Sequence, residues 1–230
     1  MTSLDLGDKF NTSNVSIMFA MFKYCGTMST TTLNLGDKFD TSNVTDMAEM
    51  FTSCSLYMTN MYFGTETGTS GKIVFPDKFN TRNVTRMSNM FYGFGAMKMT
   101  SLDLGNNFDT SNVTNMSAMF GMCGSYEMTT LDLGDKFNTS KVKDMSSMFR
   151  GCGNLKMTSL DLGDKFYTTS VTNMSNMFNS CGTGAMTTLD LGPAFTKIAE
   201  TNTDMFSYCG TTGLKIYAPE SIYSNRTTFK

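Results

Sequence analysis

A fixed period constrains this chain more than any other feature. Residues 99–127 read MTSLDLGNNFDTSNVTNMSAMFGMCGSYE, and 128–156 repeat them almost verbatim as MTTLDLGDKFNTSKVKDMSSMFRGCGNLK. A third copy begins at Met157, and the step from Met99 to Met128 to Met157 to Met186 is 29 positions each time. Self-similarity at such a period marks a repeat architecture, in which one copy cannot bury its apolar face alone but stacked copies can.

Within a copy, Leu102 and Leu104 alternate with Ser101 and Asp103, which predicts a short half-buried strand. Gly105 allows a turn, and Asp109-Thr110-Ser111-Asn112 is rich in residues that bond their own backbone in turns. Val113, Met116, Met119, Phe120 and Cys123 then recur at spacings of three and four, which predicts a short helix with Thr114 or Asn115 as N-cap and Gly124 as stop. The expected fold is a repeat solenoid of the α/β kind: one short parallel strand and short helical turns per rung.

Taken in order, the copies span about 1–27, 28–57, 58–98, 99–127, 128–156, 157–185 and 186–213, with 214–230 as a last strand and polar cap. The third copy is irregular. Its core residues Phe79, Val84, Met87, Met90 and Phe91 lie 40 positions after those of the second, an excess of 11. The extra residues fall in the polar, Gly-rich stretch 62–71 (YFGTETGTSG), read as a surface loop between rungs. The whole of 1–230 is therefore one elongated domain, roughly 35–40 Å long at about 4.8 Å per stacked strand.

Charge and composition exclude several functions. A net charge of -2 gives no electrostatic case for nucleic acid or an anionic membrane surface. No apolar run approaches the roughly 20 residues of a membrane helix, and no signal peptide is visible. Met1 occupies the repeat position of Met99, so an upstream segment is expected. The chain has no His, the commonest general base and metal ligand, and its many Ser and Thr have no base partner. No catalytic residue, metal site or cofactor is implied.

The 23 Met fall mostly at the buried spacing and read as core filling rather than a binding surface. Cys25, Cys54, Cys123, Cys152, Cys181 and Cys209 occur once per copy, at the position Phe94 fills in the third. They lack the clustered spacing of a zinc site. They read as reduced packing residues, with bridging between neighbouring rungs as the alternative. The sequons at Asn43, Asn112 and Asn173 read as turn chemistry repeated by the solenoid.

The run LDLGDKFYTTSVTNMSNMFNSC, Leu160 to Cys181, resembles the bacterial surface-protein repeat related to BspA-like leucine-rich repeats, the DUF285 repeat of mycoplasmal lipoproteins. MTSLDL is similar to the LxxLxL strand of leucine-rich repeats, with Met for the first Leu. The resemblance covers nearly the whole chain. It implies a leucine-rich-repeat-like solenoid on a bacterial cell surface, with adhesion or recognition roles and no catalytic residues. The period is longer than the family's usual one. Lys9, Lys38, Lys78, Lys136 and Lys165 stand where leucine-rich repeats place Asn, so the column Asn14, Asn43, Asn83 and Asn112 is expected to supply the internal ladder.

The function expected is a non-catalytic surface module that binds a host or neighbouring-cell protein or glycan. The alternative is a structural subunit, a homo-oligomer stacking end to end through its N-terminal edge. A third reading, ice binding by Thr arrays, requires a flat regular lattice. The candidate face has two columns: Asp103, Asp132, Asp161 and Asp190 between the strand Leu residues, and Ser101, Thr130, Ser159 and Thr188 just before them. Like charges on neighbouring strands repel. Screening by salt, the column at Lys136 and Lys165, or a bound cation or basic, hydroxyl-rich partner could offset the Asp ladder. One carboxylate per rung makes any calcium site weak.

Overall fold

The computed structural model describes residues 2–26, 30–62, 71–75 and 79–223. Met1, Lys78, Asn225, Arg226 and the interior of the inserted stretch, 63–70, lie outside the described residues. The chain is a parallel β-solenoid of about 7 turns. Its strands are β1 (Ser3–Asp5), β2 (Thr32–Asn34), β3 (Asn60–Tyr62), β4 (Lys72–Val74), β5 (Ser101–Asp103), β6 (Thr130–Asp132), β7 (Ser159–Asp161), β8 (Thr188–Asp190) and β9 (Lys215–Tyr217). One short helix, α1 (Glu220–Tyr223), follows β9. β2 and β4 to β8 bury their central apolar residue and turn its two neighbours outward, while the central residues of the terminal β1 and β9 are half-buried.

The predicted helices are absent from the rungs. From Met116 to Cys123 every second amide closes a tight turn on the carbonyl three residues back, as from Met119 to Met116 (3.2 Å) and Cys123 to Phe120 (3.2 Å). The intervening amides, Ala118, Phe120 and Met122, donate to Ser146, Met148 and Arg150 of the next rung at 2.7–2.8 Å. Ala118 and Met122 are left-handed, at φ 51° and 55°. The spacing of three and four that suggested a helix comes from this chain of turns. An α-helix spends its amides internally and is about 10 Å across, so it cannot stack at the roughly 4.8 Å step of the strands. The residue expected as N-cap, Asn115, starts the turn run: its Oδ1 accepts the Ser117 amide at 2.9 Å, as Asp144 does for Ser146.

The core is built of columns. Phe22, Phe51, Phe91, Phe120, Phe149, Phe178 and Phe206 stack face to face, with centroids 5.3–5.8 Å apart and interplanar angles of 2–12°. Offset aromatic pairs add about 0.5–1.5 kcal/mol each beyond burial. Of the expected packing methionines, Met47, Met50, Met99, Met128, Met157 and Met186 are fully buried, while Met21 in the first rung is 36% exposed. All six Cys are free thiols, four of them buried in one column with Phe94.

Several polar ladders stitch the rungs, one of asparagine and the others of threonine. Asn43, Asn83 and Asn112 donate side-chain amides to Ser13, Ser42 and Arg82 carbonyls at 2.7 Å, so the Asn column supplies a ladder as expected, although on the exposed rim. The interior ladder belongs to threonine. Thr12, Thr41, Thr81, Thr110, Thr139 and Thr168 are buried. The hydroxyls of the first five each donate to a carbonyl of the next rung, at 2.6–2.9 Å.

The third copy holds two strands where the sequence suggested one. β3 pairs with β2 and β4 with β5, while on the turn side Asp46 bridges directly to Arg86. Gly71 sits within the stack, donating to Thr59 at 2.7 Å and accepting from Thr100 at 2.6 Å. Of the stretch 62–71, Tyr62 thus closes β3 and Gly71 bonds into the stack.

Candidate functional site, the outer face of the sheet

Register places the expected columns side by side. Ser101 pairs with Thr130 and Asp103 with Asp132; Ser159 pairs with Thr188 and Asp161 with Asp190. Each of the four Asp accepts the amide of the glycine two residues on through Oδ1, from Gly105, Gly134, Gly163 and Gly192 at 2.8–2.9 Å. A local donor therefore helps hold each carboxylate, an offset the sequence reading did not include. Lys136 and Lys165, the expected partners, bond elsewhere than to the Asp carboxylates. Lys136 donates to Asn107 Oδ1 at 2.6 Å and Lys165 to the Asp135 carbonyl at 2.9 Å.

The face is not one continuous sheet. Its strands form three groups, β1-β2-β3, β4-β5-β6 and β7-β8-β9. Between β6 and β7 the ladder is interrupted. After five other strands the following residue donates to the next rung: Leu6 to Asn34, Phe75 to Asp103, Leu104 to Asp132, Leu162 to Asp190 and Leu191 to Tyr217, at 2.9–3.0 Å. Leu133 makes no such bond to Asp161, and Thr158 none to Thr129. Glycine packing reports the same break. A Cβ on Gly36, Gly105, Gly134 or Gly192 would lie 2.1–2.5 Å from a carbonyl oxygen of the preceding strand turn, whereas at Gly163 it would meet nothing within 4 Å.

Behind the break the turn side stays closed. Met145 donates to Asn173 at 2.9 Å, Phe149 to Met177 at 2.8 Å, and the Thr139 hydroxyl to Tyr167 at 2.6 Å. The result is a seam open only toward solvent, a groove of about 390 Å³ lined by Thr130, Leu131, Asp132, Ser159, Asp161 and Gly163. Asp135, Asp164, Lys165 and Pro193 extend it toward the next rung. Thr130, Asp132, Ser159 and Asp161 are exposed, while Ser101, Asp103, Thr188 and Asp190, on strands paired on both sides, are half-buried. Of the eight expected site residues the structure thus gathers four at the seam. It adds Asp135 and Asp164, which the sequence reading did not single out.

Among the described residues no group of three or more His, Cys, Asp or Glu is placed to hold a metal ion. No helix among them is long and apolar enough to cross a membrane.

No curated protein and no solved structure matches the chain significantly. One family profile, described as Mycoplasma protein of unknown function, DUF285, matches twice, over residues 3–60 and 56–190. Together the two matches run from β1 to β8 and take in the columns, the ladders and the seam, and the chain belongs to this DUF285 family.

Proposed function

We propose that this chain is a non-catalytic interaction module of a bacterial cell surface, binding a host or neighbouring-cell protein or glycan through the outer face of its sheet. The buried methionines Met99, Met128, Met157 and Met186 ahead of β5 to β8 and the parallel stacking support a leucine-rich-repeat-like reading, with turns in place of helices. Solenoids of this kind offer extended faces for recognition. The observation that carries the reading is the polar, acidic groove between β6 and β7, where strands within reach of pairing leave the Leu133 and Thr158 amides without a bond to the facing strand. The test is binding of labelled chain to cultured cells and immobilised glycans, wild type against Asp132→Asn with Asp161→Asn. Asn34 already accepts the Gly36 amide at 3.0 Å, so Asn preserves the turn. Loss of binding by a folded double variant supports the reading; undiminished binding moves the site off this face.

A further inference from the structure

We propose that the seam between β6 and β7 docks one extended peptide strand of a protein partner, with basic side chains alternating with apolar ones. The inference rests on the sheet face being the interaction surface and names the occupant.

The backbone makes the first argument. The Leu133 amide faces the seam without the bond its equivalents Leu104 and Leu162 make to the next strand, and the Thr158 amide lacks the bond that Thr129 and Thr187 make to the preceding one. Strand edges of this kind are satisfied by a further strand, which gains main-chain hydrogen bonds from both sides. The β6 and β7 Cα atoms approach within 8 Å, and an inserted strand needs about twice the 4.8 Å strand spacing. Docking therefore widens the seam by at least roughly 2 Å. The turn side, bonded through Met145, Phe149 and Thr139, serves as the hinge.

Side chains make the second argument. An inserted strand alternates, one residue toward the core and the next toward solvent. Its inner residues meet Leu131 and Leu160, which are buried beneath the seam. Its outer residues lie between Asp132 and Asp161, with Asp135 and Asp164 beyond them. The one cation lining the groove, Lys165, has its amine on the Asp135 carbonyl. Lysine or arginine at the outer positions gains two carboxylates, while glutamate is repelled by both.

The probe is the blocked hexapeptide acetyl-(Val-Lys)3-amide, titrated by calorimetry against the intact chain and followed by residue-resolved hydrogen exchange. Binding with new protection at Leu133 and Thr158 is expected. Replacing Lys by Glu, N-methylating alternate peptide amides, or changing Asp132 and Asp161 to Asn should each weaken it about tenfold or more, the Asn effect fading in high salt. Asp5→Asn, far from the seam, should change nothing. Binding that spares those two amides or ignores N-methylation overturns strand docking, as does no binding at all. If the labelled chain still binds cells in a manner sensitive to Asp132 and Asp161, only the strand inference has failed. If that sensitivity is also absent, the face itself is excluded.

Discussion

Thr110 tests how the rungs are held together. Its hydroxyl donates to the Asn138 carbonyl at 2.9 Å and accepts the Asn138 amide at 2.7 Å, and the residue is 0% exposed. Thr110→Val keeps the volume and removes both bonds. A buried backbone group left without its partner costs about 1–3 kcal/mol, so two partly buried groups should cost about 2–4 kcal/mol in all. Thr110→Ser keeps the hydroxyl and loses one methyl, worth about 1 kcal/mol. For a chain of 230 residues the Val variant should melt roughly 4–16 °C lower, at about 2–4 °C per kcal/mol. Urea unfolding and thermal melts of the two variants are the assay. If Val is no worse than Ser, the hydroxyl ladder is not what couples adjacent rungs, and the coupling rests on the backbone bonds, the Asn ladder and the Phe and Met columns.

Three further outcomes follow from the packing. Ala118→Gly should be neutral or stabilising by up to about 1 kcal/mol in urea unfolding, because φ is 51° there; in a helix the same change would cost about 1 kcal/mol. Phe120→Ala should cost about 3–5 kcal/mol by the same assay, since Phe120 is fully buried between Phe91 and Phe149, at 5.6 and 5.4 Å. Thiol alkylation mapped by mass spectrometry should label Cys25 first. Its thiol is lowered to about 7 by hydrogen bonding with Cys54, so its thiolate fraction and labelling rate rise as pH passes through 7. Burial pushes Cys123, Cys152 and Cys181 up, and these should stay unlabelled until the chain unfolds.

Much of this was legible in the residues. Leu102 and Leu104 gave the strand, its inward face and the register of the outer columns, because period-two alternation has one physical meaning. Phe108, Phe120 and Cys123 were core positions in any fold with this repeat. The turn run was misread because Met116, Met119, Phe120 and Cys123 satisfy helical spacing equally well. What separates the two is where the amides of Ala118 and Met122 go, and that depends on the neighbouring rung. Thr110 looked like turn chemistry beside Asp109 and Ser111. Its sign was constancy, since Thr12, Thr41, Thr81, Thr110, Thr139 and Thr168 persist while the residue before each varies among Asn, Asp and Tyr. β3 was hidden because Asn60-Met61-Tyr62 replaces the Leu pattern. The seam left no trace at all: β6 and β7 lie in TTLDLG and TSLDLG, and the equally similar β5 and β6 pair normally.

Residue-resolved amide hydrogen exchange of the free chain tests the split sheet, on which the candidate site depends, most directly. Leu104, Leu162, Thr129 and Thr187, bonded across their rungs, should exchange slowly. Leu133 and Thr158 should exchange at least about a hundredfold faster, the effect of losing roughly 3 kcal/mol of local protection. Protection of Leu133 and Thr158 equal to that of their counterparts would show a continuous sheet, with no seam for a partner to enter.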